Sequence, residues 1–221
     1  MAGTKLSVVT VVYNGAGTIE QCIKSVHGQN YKNIEHIIVD GSSTDGTLEI
    51  IKKYNSILGA VVSESDNGIF DAMNKGIGLA SGDIVGILNS DDFYADNQIL
   101  SRVAGVFNNQ DVDSCYGDLQ YVDRANTDSI IRHWKSKSYS EKLFYRGWMP
   151  PHPTFFVRRG VYERYGVFNL NLGTAADYEL MLRFLLKNGI STHYIPEVLV
   201  RMRTGGQSNV SILNRIKAKD G

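Results

Sequence analysis

Residues 6–12 read LSVVTVV, from Leu6 to Val12, apolar or β-branched at nearly every position with no alternation. An unbroken run of this length is the pattern of a strand covered on both faces of a parallel sheet, and a crossover helix is expected to follow it. Thr18 with Gln21 has the spacing of a capping box, and Ile19, Cys22, Ile23 and Val26 recur at helical intervals, which predicts a helix over 18–27. HIIVD (His36–Asp40) predicts the second strand. The same beat returns with a helix over 47–54, a strand over 60–65 and a helix over 69–80 whose stripe combines Ile69, Met73 and Ile77 with Ala72, Gly76 and Ala80. Ser81-Gly82 ends that helix, and DIVGIL (Asp83–Leu88) predicts a further strand running into Asn89-Ser90-Asp91-Asp92. Alternating units of this kind predict a doubly wound α/β half.

The 221-residue chain is 43% hydrophobic and 21% charged, which excludes general disorder and a disulfide-dense scaffold. Lysine plus arginine (23) equals aspartate plus glutamate (23), so no broad cationic field draws it to nucleic acid. Cys22 and Cys115 are far apart with no CxxC spacing, as expected of reduced thiols in a cytoplasmic protein. The apolar run at 6–13 is far shorter than a bilayer span and no signal-peptide pattern precedes it, so neither a membrane span nor export is expected.

After about residue 115 the rhythm changes. Residues 116–132 are polar with weak alternation, and GWMPPHP (147–153) holds three of the four prolines. Strands are expected over 154–158, 193–195 and 198–202, a short helix over 160–165, and a longer helix over 174–187 closed by Gly189. This divides the chain into a 1–115 half and a 116–221 half.

Ligands in open α/β sheets bind beyond the carboxyl ends of the strands, and polar residues recur at those ends here. They are Tyr13-Asn14-Gly15, Asp40-Gly41-Ser42-Ser43, Glu64-Ser65-Asp66-Asn67 and Asn89-Ser90-Asp91-Asp92. Adjacent carboxylates such as Asp91-Asp92 repel unless a cation or hydrogen-bond donors compensate. Mg2+ or Mn2+ would resolve that repulsion; a solvated turn, or the N-terminus of a helix over 96–107, is the alternative. Gly15-x-Gly17 followed by Asp40 resembles the start of a dinucleotide fingerprint, but Glu20 stands where its third glycine belongs and would repel a pyrophosphate. Asp177 stands one turn into the 174–187 helix, either as an acid favoured by the helix dipole or as a site residue; His152, between prolines, is open in the same way.

Taken together, SVVTVVYNG (7–15), VDGSSTDGT (39–47), ESDNGIFDAMNKGIGLASGD (64–83), LNSDDFY (88–94) and AADYELMLR (175–183) resemble the family 2 glycosyltransferases. The resemblance implies the GT-A fold, a Rossmann-like nucleotide-binding α/β/α sandwich with a smaller α+β half on the acceptor side. It implies a nucleotide-sugar donor, most often a UDP-sugar, with Thr10, Val12 and Tyr13 lining the nucleoside pocket and Asp40 beside the base. By the same resemblance Asp66, Asn74 and Lys75 approach the donor from the third unit. Ser90 and Asp91 face the ribose or metal, Asp92 holds a divalent Mn2+ or Mg2+ on the diphosphate, and Asp177 is the general base of an inverting displacement.

Three positions depart from the family pattern: Gly41 where a second acid is frequent, Asn89 where an aspartate often precedes the metal motif, and Ala176 where a glutamate often precedes the catalytic aspartate. They keep open a nucleotide-binding scaffold without catalysis, and the Gly15-x-Gly17 turn keeps open an NAD-dependent oxidoreductase. No QxxRW-like motif is present, which points to single sugar additions. His152, Trp148, Arg146, Arg201 and Arg203 are candidates for contact with acceptor or diphosphate. TGGQSN (204–209) is a candidate lid, and the basic, apolar-striped residues 212–219 a candidate for peripheral membrane contact. The resemblance implies a saccharide or lipid-linked saccharide acceptor in surface-polysaccharide assembly.

Overall fold

In the computed structural model, which describes residues 3–205, LSVVTVV forms strand β1 (Leu6–Val12), buried along its whole length. β1 lies between two parallel neighbours, β2 (Ile34–Asp40) and β4 (Ile84–Ile87), and β3 (Ala60–Ser63) extends the sheet beyond β2. The crossovers are α1 (Ile19–His27), α2 (Thr47–Lys52) and α3 (Ile69–Leu79), each within about two residues of its expected bounds. The missing alternation in β1 has a direct cause. Val9 and Val11 enter a core with Met73 and Ile77 of α3, whereas Leu6 and Val8 enter a second core with Cys22 and Val26 of α1.

Beyond β4 the sheet turns mixed. β8 (Phe156–Arg158) runs antiparallel to β4, β6 (Ser114–Val122) antiparallel to β8, and β9 (Thr192–Arg203) parallel to β6. β5 (Asp92–Tyr94) closes the path antiparallel to β9, and β7 (Ile130–Trp134) pairs with β6 off it. One sheet thus runs through both halves of the chain, and β6 spans the 115/116 junction. Helix α4 (Ile99–Val106) packs Leu100 and Val103 into the core that holds Leu6 and Val8, and two short helices follow, α5 (Glu141–Phe144) and α6 (Arg159–Tyr165). Among the described residues no helix is long and apolar enough to cross a membrane. Cys22 and Cys115 are both buried and form no disulfide. Most of the candidate lid and all of the basic tail at 212–219 lie outside the described residues.

Several local expectations are corrected. Thr18 makes no side-chain cap; its hydroxyl donates to the Gly15 carbonyl at 3.4 Å, and the Gln21 side chain accepts from Arg203 instead. Asp91-Asp92 does not begin the next helix, because Asp92 opens β5 and α4 starts only at Ile99. The polar stretch after 115 contains the nine-residue β6, whose polar side chains find partners: Asp118 accepts from the Ser136 backbone and from the Tyr194 hydroxyl, each at 2.7 Å.

The expected helix over 174–187 is broken into three. A 3-10 segment (Leu170–Ala175), in which Gly173 has φ 51°, leads into α7 (Ala176–Met181), and a π-helical segment (Leu182–Lys187) follows. The two expected strands around Pro196 are one, β9. From Tyr194 to Val198 it spans four residues while β6 advances two, from Tyr116 to Asp118, and this bulge leaves Pro196 out of the ladder.

Candidate active site

The loops after β1 and β2 are knitted by the STDGT segment. The Asn14 amide donates to Ser43 Oγ at 2.8 Å, Gly15 to Thr47 Oγ1 at 2.9 Å and Ala16 to Asp45 Oδ2 at 3.0 Å, while the Thr44 amide donates back to Asn14 Oδ1 at 2.9 Å. Asn14 (φ 51°) and Ser42 (φ 63°) hold the left-handed conformations these turns require. The knitted loops form one wall of a cavity of about 340 Å³ at the carboxyl ends of β1 and β4, where Val12, Tyr13, Asp66, Ser90, Asp91 and Arg124 meet. Tyr13 is 64% exposed there, an aromatic face open to a planar ligand.

The remaining candidates lie deeper or are engaged elsewhere. Thr10 is buried, its hydroxyl 3.0 Å from His36 Nε2, and His36 Nδ1 is 3.2 Å from His27 Nε2. Asp40 is also buried; its Oδ2 accepts from the Ser43 amide at 3.1 Å and Ser63 Oγ at 2.7 Å, and its Oδ1 has no partner among the described residues. Asn74 clasps the backbone of Phe168, donating to its carbonyl and accepting from its amide, each at 2.9 Å. Lys75 pairs with Glu64 at 2.9 Å and donates to the Ser65 carbonyl. Glu20 accepts from the Tyr54 hydroxyl at 2.6 Å and pairs with Lys24 on the surface, so it does not occupy a phosphate position.

The acid pair is split by depth. Asp91 faces the cavity, whereas Asp92 is fully buried beneath, its Oδ2 3.4 Å from Asn89 Nδ2. Burial first, and the neighbouring Asp91 charge second, push the Asp92 carboxyl well above the usual carboxylate range. Among the described residues, Asp92 Oδ1 and Asn89 Oδ1 are buried without partners. A cavity-facing carboxylate backed by orphaned oxygens fits a hard divalent cation that takes one or two protein carboxylates and completes its shell with water and phosphate. Among the described residues no cluster of three or more potential ligands exists that would hold a metal without such help.

Arg203 is buried, with its guanidinium donating to the Asp91 carbonyl and to Gln21 Oε1 and stacked 5.1 Å over the Phe93 ring. It fastens the Asp91 loop from behind. Arg124, in the turn after β6, faces the Asp91 carboxylate from the front at 3.8 Å. Nothing in the weakly patterned 116–132 stretch singled it out; the polar turn DRAN that ends a strand was the available signal.

Asp177 and His152 form a second group, away from the cavity lining. Asp177 lies in the first turn of α7, its Oδ1 accepting from the Tyr178 amide at 2.7 Å. Arg183 secures this helix by pairing with Glu179 at 2.8 Å and donating to the Val167 carbonyl at 2.7 Å. His152 packs edge-on against Phe168, with ring centroids 5.5 Å apart; burial lowers its pKa and the Asp177 charge opposes that shift. Phe168, clasped by Asn74, thus links α3 to this group. Trp148 is half-buried against Tyr116 and Phe144, Arg146 is exposed, and Arg201 lies in β9 opposite Phe93.

The family model described as glycosyl transferase family 2 matches residues 7–166. A PGL/p-HBAD biosynthesis glycosyltransferase of Mycobacterium bovis is 29% identical over 216 residues, covering 96% of this chain and 82% of that protein. An uncharacterized glycosyltransferase of Rickettsia typhi is 27% identical over 220 residues, covering 96% and 68%. Among solved structures, S. aureus TarS 1–349 in complex with UDP-GlcNAc matches with a TM-score of 0.75 and 20% identity over 94% of this chain and 60% of that one. A mannosyltransferase from Pyrobaculum calidifontis in complex with GDP-Man and Mn2+ matches with a TM-score of 0.71 and 19% identity, over 98% and 61%. The chain therefore spans about 60% of the solved chains it resembles, and it has their GT-A fold.

Proposed function

The chain belongs to glycosyl transferase family 2, and from that premise we propose that it moves one sugar from a nucleotide-sugar, a UDP-sugar in first place, to a hydroxyl of a saccharide or lipid-linked saccharide. The observation that carries this reading is the cavity in which the exposed Tyr13 ring, Asp66 and Asp91 converge beyond the carboxyl ends of β1 and β4. The 1–115 half supplies most of the donor site, with Arg124 reaching it from the other half, and the 116–221 half holds the acceptor. UDP-GlcNAc in TarS and GDP-Man with Mn2+ in the archaeal mannosyltransferase support a donor of this class.

Tyr13 stacks on the base and the carboxylate of Asp66 accepts from its polar edge or the ribose, while the buried Asp40 holds the turn beneath them through the Ser43 amide. Asp91 is the cation ligand, with Asp92 beneath it fixing the loop. A bound Mn2+ or Mg2+ stabilises the charge that develops on the departing diphosphate without proton transfer. Asp177 takes the acceptor hydroxyl proton as that oxygen bonds to sugar C1 and the C1–phosphate bond breaks on the opposite face, which inverts the anomeric centre. Burial lowers the pKa of His152, which the charge of that carboxylate reaches, and Trp148 packs against Tyr116 and Phe144. The place of action proposed is the cytoplasm, at the inner face of the membrane where a lipid-linked acceptor would lie.

Calorimetry with UDP, GDP, dTDP, CDP and NADH, with and without Mn2+, tests the reading. UDP is expected to bind selectively and to need Mn2+, and Asp91→Ala is expected to lose about 10-fold or more in affinity, the scale of a lost charge-assisted contact. Asp177→Asn should bind UDP as the wild type does and lose about 10²–10⁴-fold in transfer rate. Binding of NADH alone would overturn the proposal. Metal-dependent UDP binding with transfer undiminished in Asp177→Asn would remove the base assignment.

A further inference from the structure

Two arginines from different elements converge on Asp91, and they are held in opposite ways. Arg203 is immobilised by the Asp91 carbonyl, Gln21 and the Phe93 ring. Arg124 has a fixed stem and a loose head. Its turn is pinned by Asp123 Oδ1, which accepts from the Ala125 amide at 2.9 Å and the Asn126 amide at 2.8 Å. Its side chain is 55% exposed, and among the described residues its guanidinium makes no hydrogen bond and one ion pair, with Asp91 Oδ2 at 3.8 Å, beyond hydrogen-bonding reach. Among the described residues it is also the one basic side chain that lines the cavity, together with the two carboxylates Asp66 and Asp91.

We propose that Arg124 is an exchangeable cation of the donor site: it neutralises Asp91 in the free protein and, when a divalent cation claims that carboxylate, turns onto the diphosphate of the incoming nucleotide. This rests on the nucleotide-sugar reading above. A 3.8 Å contact between partly exposed charges is weak enough to be surrendered to a doubly charged competitor. Once Asp91 is so neutralised, the fixed charge of Arg203 behind it repels Arg124 outward, into the cavity. The planar guanidinium fork matches two phosphate oxygens, which a lysine ammonium cannot reproduce. Arg124 therefore opposes the metal binding alone and favours metal and nucleotide binding together, a coupling carried by one side chain.

The experiment measures Mn2+ binding without nucleotide, by loss of the free-ion electron paramagnetic resonance signal, and UDP and GDP binding at saturating Mn2+ by calorimetry. The wild type, Arg124→Ala and Arg124→Lys are compared. Arg124→Ala is expected to bind Mn2+ alone about 3–10-fold more tightly, an effect that shrinks with added salt because the pair is exposed. The same variant should bind the preferred nucleoside diphosphate about 10-fold more weakly, with Arg124→Lys between the two. If Arg124→Ala leaves Mn2+ affinity unchanged or weaker, or leaves nucleotide affinity unchanged, the inference falls while the donor site stands. If the wild type binds neither UDP nor GDP in Mn2+, the donor site itself falls and the inference with it. Unfolding midpoints of both variants within a few degrees of the wild type confirm that the comparison concerns the site.

Discussion

At position 41 a hydrogen atom in place of a side chain decides what the cavity holds. A Cβ on Gly41 would lie 2.6 Å from Asp66 Oδ2 and 3.5 Å from Tyr13 Cδ2, so the Asp66 carboxylate occupies the space that a side chain would take. Gly41→Ala should displace Asp66 and lower UDP affinity about 3–10-fold, with a stability change of no more than about 1 kcal/mol because the carboxylate can swing into solvent; calorimetry and urea unfolding read the two effects separately. From the sequence alone Gly41 reads as a missing acid, and the carboxylate that fills its place comes from the next βα unit. Motif order named several residues that line the cavity but not the depth of their neighbours. Asp91 and Asp92 are neighbours in sequence, yet one faces the cavity and the other is sealed below it, a distinction made by the turn into β5 and by Arg203 from 112 residues away. Thr10 shows the same limit, since its place in a strand buried on both faces does not say which partner its hydroxyl finds.

Among the elements, α3 and β1 approach most closely at Gly76. A Cβ there would lie 2.2 Å from Val9 Cγ1. Gly76→Ala gains about 1 kcal/mol of helix propensity yet is expected to destabilise the fold by about 1–3 kcal/mol through overpacking, measured by urea denaturation. A variant as stable as the wild type would mean that α3 shifts off the sheet without cost. The βαβ units were legible because β1 and the end of β2 carry their own burial signal in apolar runs, whereas the half-exposed β3 was read from its place in the alternation. Of the later strands β8 and the two ends of β9 were read, but β6 was not, because it pairs with β9 across about 80 residues and buries polar side chains such as Asp118, bonded to Tyr194, inside the sheet. Pro196 hid the continuity of β9, and Gly173 with the π-helical turn after Met181 broke what helical periodicity presented as one helix.

For the molecule as a whole, the line of polar groups from Thr10 through His36 to His27 links stability to pH. Burial, with a smaller push from His27, brings His36 down to about 3, and burial with Lys32 lowers His27. A histidine depressed in the folded state takes up protons more readily when unfolded, so its contribution is whole above pH 6.5 and is lost as pH falls below that value. His36 alone should cost about 1.4 kcal/mol per pH unit below 6.5, or about 2 kcal/mol at pH 5. Urea midpoints at pH 7 and pH 5 should differ accordingly, and His36→Gln should flatten the difference; equal midpoints in the wild type would contradict it. Glu35, brought down to about 2 chiefly by hydrogen bonds from Ser7, Ser81 and Lys5 that outweigh burial, adds its own loss only below about pH 4.5 and leaves the upper window to the histidines. The place of β9 in the sheet sets an order of events during synthesis. Among the described residues β5 pairs with β9 alone, and Arg203, at the end of β9, fastens the Asp91 loop. A nascent chain that has released the first four parallel strands from the ribosome can already bury β1, but its acid pair has neither a paired strand after it nor an arginine behind it. The proposed donor site is therefore incomplete in every unfinished chain until residue 203 has emerged.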